Sequence, residues 1–95
     1  MAKLIWTDQA LHDLIAIGDY IAENSATYAR LTVQKLYQKP IILKKFPLSG
    51  RIVPEKNEIN LREIIEGNYR IIYEIAPDKT VYILTVYHSA RALKA

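Results

Sequence analysis

The spacing of apolar residues changes once along the chain, from a helical period to a strand-like one. Between Asp8 and Glu23 apolar side chains recur three and four residues apart, which predicts an amphipathic helix. A second stretch of this kind follows a break at Asn24–Thr27 and runs to about Phe46. The stripe of the first helix consists of Leu11, Leu14, Ile15, Gly18, Ile21 and Ala22. Two helices joined by so short a break predict an antiparallel helix hairpin.

Polar residues and one proline refine the limits of these helices. Thr7 or Asp8 can cap the first helix and Ser25 or Thr27 the second, because a side-chain oxygen there accepts one of the unpaired N–H groups. Pro40 has no N–H to donate and crowds the preceding turn. The second helix is therefore predicted to kink near residue 39.

From Leu61 onward the chain is rich in Ile, Val and Tyr, as β-strands are. Gly67-Asn68 predicts a tight hairpin turn, and Pro77-Asp78-Lys79 predicts a second turn. A β-prone run precedes the helices, and residues 51–60 are expected to form an irregular charged loop. The predicted strands are Lys3–Trp6, Leu61–Glu66, Tyr69–Ala76 and Thr80–His88. The order β-α-α-β-β-β predicts an α+β fold in which the helix hairpin packs on a largely antiparallel sheet.

Composition limits the kinds of protein this chain can be. Its 95 residues, 51% hydrophobic and 24% charged, fit one domain over residues 1–95. The absence of cysteine excludes disulfide scaffolds, thiolate zinc sites and cysteine nucleophiles. No apolar run reaches 18 residues, and Asp8 and Asp13 interrupt the start of the chain, so neither a membrane span nor a secretory signal is predicted. We expect a cytoplasmic protein with no metal and no cofactor.

The net charge of +3 is unevenly distributed. Residues 1–43 carry equal numbers of acids and bases, so the excess lies in residues 44–95. Residues 8–23 hold only acids, whereas residues 24–54 hold only bases. This order fits either a helix hairpin whose outer faces attract each other or two independently solvated faces.

Five motifs of the chain, taken together and in this order, resemble the ParE branch of the RelE/ParE toxins over nearly the whole length. They are Phe-Pro-Leu-Ser-Gly-Arg at 46–51, Val-Pro-Glu at 53–55, Leu-Arg-Glu at 61–63, Gly-Asn-Tyr-Arg-Ile-Ile-Tyr at 67–73 and Ile-Leu-Thr-Val-Tyr-His-Ser-Ala-Arg at 83–91. The resemblance implies the toxin of a type II toxin–antitoxin module of the plasmid-stabilisation kind. It also implies a hetero-oligomer with a cognate antitoxin that folds on binding. ParE members are understood to poison DNA gyrase, whereas RelE-like members cut mRNA in the ribosome.

The residues allow both activities. Metal-free RNA cleavage needs proton-transfer groups and a cation beside the phosphate. Glu55 or His88 could transfer protons, and Arg70, with Arg62 and Arg51, could supply the positive charge. In RelE-like nucleases the positions that match Arg70 and His88 are functional. Each also has a structural reading: Arg70 could pair with Glu63 or Glu66 across the hairpin, and His88 could be a hydrogen-bonding residue at a strand end.

Gyrase poisoning needs no catalytic residue, only a presented surface. The expected binding residues are Arg51, Arg62, Arg70, His88 and Arg91. The basic cluster around Arg51 is thin for a ribosomal RNA substrate, because Glu55 and Glu58 flank Lys56. The first interpretation is therefore a gyrase-inhibiting toxin. The alternatives are a ribosome-dependent mRNA endoribonuclease that uses Glu55, Arg70 and His88, and a remnant of the fold that only binds antitoxin. An apolar groove for the antitoxin is expected on the toxin.

Overall fold

The computed structural model describes residues 2–90, which form two α-helices and one five-stranded sheet. The sheet has the order β1-β5-β4-β3-β2, in which β1 runs parallel to β5 and every other pair is antiparallel. The elements are β1 (Leu4–Trp6), α1 (Asp8–Ala22), α2 (Ala26–Gln38), β2 (Arg51–Ile52), β3 (Leu61–Glu66), β4 (Tyr69–Ile75) and β5 (Val81–His88). The predicted α+β class, with a helix hairpin on a mostly antiparallel sheet, is confirmed.

The helix starts are fixed by side-chain caps. The hydroxyl oxygen of Thr7 accepts a hydrogen bond from the N–H of Ala10 and its O–H donates to the carbonyl of Ile83 at 2.7 Å. Ser25 caps α2 by accepting from the N–H of Tyr28 at 3.1 Å. Each cap satisfies an N–H that has no partner within the helix. Thr7 also ties the start of α1 to β5.

The second helix is shorter than its sequence pattern predicts. The α-helix ends at Gln38, and residues Lys39–Lys44 continue as a 3₁₀-helix, with a further 3₁₀ turn at Pro47–Ser49. Pro40 lies in the first turn of the 3₁₀ segment, where its missing N–H costs nothing. The predicted site of the irregularity is confirmed, but the prediction of one kinked helix as far as Phe46 is wrong. Apolar spacing alone does not distinguish a 3₁₀ continuation from an α-helix.

The region predicted to be an irregular loop begins with a strand. Arg51 and Ile52 form β2 and pair with Glu63 and Arg62 of β3. Two residues are too few to show an alternating pattern, so the sequence carries no signal for this edge strand. The loop proper therefore starts at Val53, and its course is set by the pairing of β2.

The helices cover one face of the sheet and form the core with it. No ion pair joins α1 to α2 within residues 2–90, so the helices are held together by apolar contact rather than by their opposite charges. Gly18 lets α2 approach closely, since a Cβ there would lie 3.0 Å from Cγ2 of Val33. In the described part of the chain no helix is long and apolar enough to cross a membrane. The buried core consists of Ala10, Leu14, Leu36, Leu43, Ile71, Tyr73, Ile75, Val81, Ile83 and Val86.

Candidate functional site

Two arginines and two glutamates meet on the face of the sheet that the helices leave uncovered. Successive side chains of a strand point to opposite faces. Because Ile71 of β4 packs into the helix-covered core, Arg70 points to the other face. Arg51 of β2, Glu55 of the following loop and Glu63 of β3 join it there, and these four residues are called the ion cluster below.

Glu63 and Arg70 are the buried centre of the ion cluster. One carboxylate oxygen of Glu63 accepts from Nε of Arg70 at 2.8 Å and also from its Nη2, and the other accepts from Nε of Arg51. Glu55 accepts from Nη1 and Nη2 of Arg70 at 2.7 and 2.8 Å, a bidentate pair. Glu63 is 1% exposed and Arg70 5%. Two positive and two negative charges therefore cancel around a buried Glu63–Arg70 pair, with Arg51 and Glu55 at the solvent-exposed edge.

The environment of Arg70 fixes its charge. Its hydrogen bonds to Glu55 raise its pKa more than burial lowers it, and the bonds to Glu63 act in the same direction. The ring of Tyr87 lies 5.4 Å from the guanidinium carbon, within cation–π range. Burial raises the pKa of Tyr87, and its buried hydroxyl has no hydrogen-bond partner among residues 2–90. Arg70 is thus a permanent cation enclosed by carboxylates and an aromatic ring.

His88 lies on the opposite face of the sheet from Arg70. In the antiparallel pair of β4 and β5, Arg70 is opposite Tyr87, whereas Tyr69 is opposite His88. Directly paired side chains share a face, so His88 is on the face of Tyr69, whose ring it contacts edge-on at 5.7 Å. Its Nδ1 accepts from the N–H of Ala90 at 3.1 Å. The structure brings Glu55 and Arg70 together but does not bring His88 to them.

The remaining predicted site residues have separate positions. Arg62 donates to the carbonyls of Ile59 and Gly50, both at 2.9 Å, and so holds the β2 edge in place. The side chain of Arg51 is 65% exposed despite its contact with Glu63. Arg91 lies outside the described residues. Residues 2–90 contain no group of three His, Asp or Glu side chains that could hold a metal ion.

Two further residues support the ion cluster, and the sequence reasoning missed their role. Tyr73 is fully buried, donates from its hydroxyl to the carbonyl of Pro47 at 2.7 Å and accepts from the N–H of Gly50 at 3.0 Å. Burial raises the pKa of this tyrosine, so the hydroxyl stays a donor. At Gly50 a Cβ would lie 2.6 Å from the carbonyl oxygen of Glu63. The glycine directly before Arg51 was the available signal, because it marks a close approach of two backbones.

Comparison with known proteins identifies relatives over nearly the whole chain. Residues 4–93 match the family model described as the ParE toxin of the type II toxin–antitoxin system parDE. Toxin RelE2 of Caulobacter vibrioides is 33% identical over 91 residues, which are 96% of this chain and 99% of that protein. A structure of the chromosomal ParDE TA system from P. aeruginosa matches with a TM-score of 0.75 and 23% identity, covering 93% of this chain and 96% of that one. The RelBE2 toxin–antitoxin complex from Mycobacterium tuberculosis matches with a TM-score of 0.56 and 23% identity, over 92% and 96% of the two chains.

Proposed function

Because the chain belongs to the ParE toxin family of type II toxin–antitoxin systems, we propose that it inhibits DNA gyrase and is neutralised by a cognate antitoxin. The chain would bind both DNA gyrase and the antitoxin in the cytoplasm. Inhibition of this kind is a binding function, so it requires an accessible surface and no set of converging catalytic groups.

The ion pairs of Arg70 with Glu55 and Glu63 are the observation that supports gyrase rather than RNA as the target. A cation that steadies a phosphate must be free to bind it, but this guanidinium already holds the carboxylates of Glu55 and Glu63. A general acid or base must also be within about one hydrogen bond of the reacting atoms. His88 faces the other side of the sheet. These side chains thus act more readily as structural groups than as a nuclease centre.

The nuclease remains the second candidate because one relative of full length is named RelE2. On that hypothesis Glu55 would have to leave Arg70, so that the guanidinium could take a phosphate while the carboxylate moved a proton. Glu55 is the member of the pair that can move, because its side chain is 27% exposed and lies on a loop, whereas that of Arg70 is 6% exposed and lies on a strand.

The two candidates predict opposite results with purified components. We expect the chain to inhibit negative supercoiling by gyrase and to leave mRNA intact on translating ribosomes. His88→Ala is expected to leave the ribosome-bound transcript as intact as wild type does, whereas in a nuclease the loss of a general acid or base typically costs 10²–10⁴-fold in rate. The measurements are a plasmid supercoiling assay and primer extension on a ribosome-bound transcript.

Inside cells the same distinction can be followed after induction from a tightly controlled promoter. A DNA-damage response with intact transcripts supports the proposal. Rapid transcript cleavage that disappears in His88→Ala would contradict it and assign the chain to the nucleases. An absence of any growth defect, with antitoxin binding retained, would identify a chain whose remaining activity is binding alone.

The helix hairpin offers the surface that we propose for the antitoxin. Leu11 and Ile15, one turn apart on α1, are 40% and 62% exposed. On α2 Tyr28 and Leu31 are 61% and 45% exposed, also on one side of their helix. Apolar surface of this extent is typical of a face that a partner covers. A segment that folds on binding could bury it as a helix lying along the hairpin.

We expect Ile15→Asp and Leu31→Asp each to weaken antitoxin binding by at least tenfold, because each places a charge in the apolar contact. Arg30→Gln changes the charge by the same amount at an exposed position of α2 that is neither three nor four residues from Tyr28 or Leu31, so it is the matched control and is expected to bind within twofold of wild type. Isothermal titration with the antitoxin encoded beside the toxin gene measures all three. Unchanged binding in both Ile15→Asp and Leu31→Asp would show that the antitoxin does not bind the helix hairpin.

A further inference from the structure

Four lysines from three separate segments of the chain line one shallow pocket at the end of the sheet marked by the β4–β5 turn. Lys3 precedes β1, Lys44 and Lys45 end the 3₁₀ segment after α2, and Lys79 lies in the turn itself. The pocket has a volume of about 560 Å³, and Asp78 and Thr80 complete its polar lining. We call it the lysine pocket. It is remote from Arg70, which lies at the opposite end of β4.

Backbone hydrogen bonds hold the three segments of the lysine pocket in place. The N–H of Ala2 donates to the carbonyl of Lys44 at 2.9 Å, and the N–H of Val81 donates to the carbonyl of Lys3 at 2.8 Å. The N–H of Lys79 donates to the carbonyl of Ala76 at 2.9 Å, which closes the turn. The lysines therefore start from fixed backbone positions, and their convergence is a property of the fold.

The lysine pocket carries an excess of positive charge. Its four lysines and one aspartate give a formal charge of +3. Like charges gathered in one concave site attract anions to it.

Asp78 offsets one of the four positive charges of the lysine pocket. Its carboxylate accepts a hydrogen bond from the N–H of Thr80 at 3.0 Å, which engages it within the turn. That hydrogen bond lowers the pKa of Asp78, and the charge of Lys3 acts in the same direction. The carboxylate therefore stays charged within the turn. One carboxylate among four lysines leaves a net positive charge for an anionic ligand.

We propose that the lysine pocket binds the phosphate backbone of double-stranded nucleic acid without reading its sequence. Lysines bind phosphates as point charges, and each phosphate contact releases a condensed counterion. The described residues that line the pocket include no aromatic side chain, and the ring of neighbouring Phe46 is already contacted by the ammonium group of Lys45, at 5.7 Å from the ring centroid. This favours a duplex, whose bases are already stacked, over a single strand or a free nucleotide. The proposal rests on the pocket and is independent of the toxin's target.

The decisive experiment compares two variants of equal net charge. The first changes Lys3, Lys44, Lys45 and Lys79 to Gln, and the second changes Arg30, Lys35, Lys39 and Lys56 to Gln. Both reduce the formal charge from +3 to about −1. Fluorescence anisotropy with a labelled 20-base-pair DNA duplex of mixed sequence measures the affinity at several salt concentrations. We expect the first variant to lose at least 30-fold in affinity at 50 mM salt and the second to stay within about threefold of wild type.

The salt dependence supplies a second readout. If each of the four lysines neutralises one phosphate, log K falls with log salt with a slope of about −3.6, or more than 100-fold between 50 and 200 mM. A variant in which the same four lysines of the pocket are changed to Arg keeps the charges and should keep the affinity. Should the fourfold Gln variant not fold by circular dichroism, Lys45→Gln and Lys79→Gln, both at exposed positions, are each expected to reduce the slope by about one.

Three outcomes overturn the proposal. Equal loss of affinity in both fourfold variants assigns binding to overall charge. Unchanged affinity in the first fourfold variant shows that the lysine pocket does not contact the duplex. Tighter binding of a 20-nucleotide oligothymidine than of the duplex, or binding of inorganic tripolyphosphate with no binding of duplex, identifies a different anion as the ligand.

Discussion

Arg70→Met is expected to lower the free energy of unfolding by about 3–5 kcal/mol, because it leaves the carboxylate of Glu63 buried without its main partner. Glu63 would keep only Arg51, whose side chain is largely exposed, whereas Glu55 could turn towards water. Urea denaturation followed by circular dichroism measures the loss. Arg30→Met removes an exposed arginine from α2 and serves as the control, with a change expected within about 0.5 kcal/mol.

A second substitution tests the reason for that loss. Glu63→Leu combined with Arg70→Met replaces a buried ion pair by apolar groups, and such replacements are often neutral or stabilising. We therefore expect the double variant to be more stable than Arg70→Met alone, with a coupling of at least about 2 kcal/mol between the two positions. Simple addition of the two single effects would show that the cost comes from lost packing and not from an unpaired buried charge.

Gly50→Ala is expected to cost at least about 3 kcal/mol, since overpacking alone costs about 1–3 kcal/mol and a lost buried hydrogen bond adds a similar amount. The new Cβ would lie 2.5 Å from the hydroxyl oxygen of Tyr73 and 2.6 Å from the backbone oxygen of Glu63. Neither can yield easily, because one belongs to a fully buried ring and the other to a central part of β3. Thermal and urea unfolding measure the change.

The control for this prediction is another glycine with a crowded Cβ position. At Gly18 the nearest atom is the side-chain methyl of Val33 at 3.0 Å, which can give way. Alanine also gains about 1 kcal/mol of helix propensity there, so Gly18→Ala is expected to stay within about 1 kcal/mol of wild type. A loss at Gly50 no larger than at Gly18 would show that β2 can move away from β3 without consequence.

The sequence predicts the parts of the fold that rest on local periodicity. The run Leu61–Glu66 matches β3 residue for residue, and the predicted starts of α1 and β4 are confirmed, because each begins at a cap or after a turn. The strand β2 and the 3₁₀ segment have no such signal: one is two residues long, and the other keeps a helix-like spacing. Their conformations come from contacts with distant parts of the chain.

In the ion cluster, too, one contact follows from local sequence and the other does not. A two-residue turn at Gly67-Asn68 pairs Glu66 with Tyr69, which puts Glu66 on the face opposite Arg70. Glu63, three residues earlier, shares the face of Arg70, so the hairpin register alone decides between the two partners that the sequence allowed. The contact with Glu55 has no comparable rule, because the path of the loop after β2 depends on β2 itself. The charge total likewise gave no sign that Lys3, Lys44, Lys45 and Lys79 line one pocket.

The parallel pairing of β1 with β5 governs when this toxin can fold. Leu4 pairs with Val81, so strands from the two ends of the described chain lie side by side, and the cap of α1 contacts Ile83. Contacts between residues so far apart form late, since a long loop must close first. During synthesis the first strand has no partner until the last one has been made. The sheet therefore cannot be completed until β5 has been made, although β2, β3 and β4 can pair before it, and until then the apolar surface that β5 covers stays open.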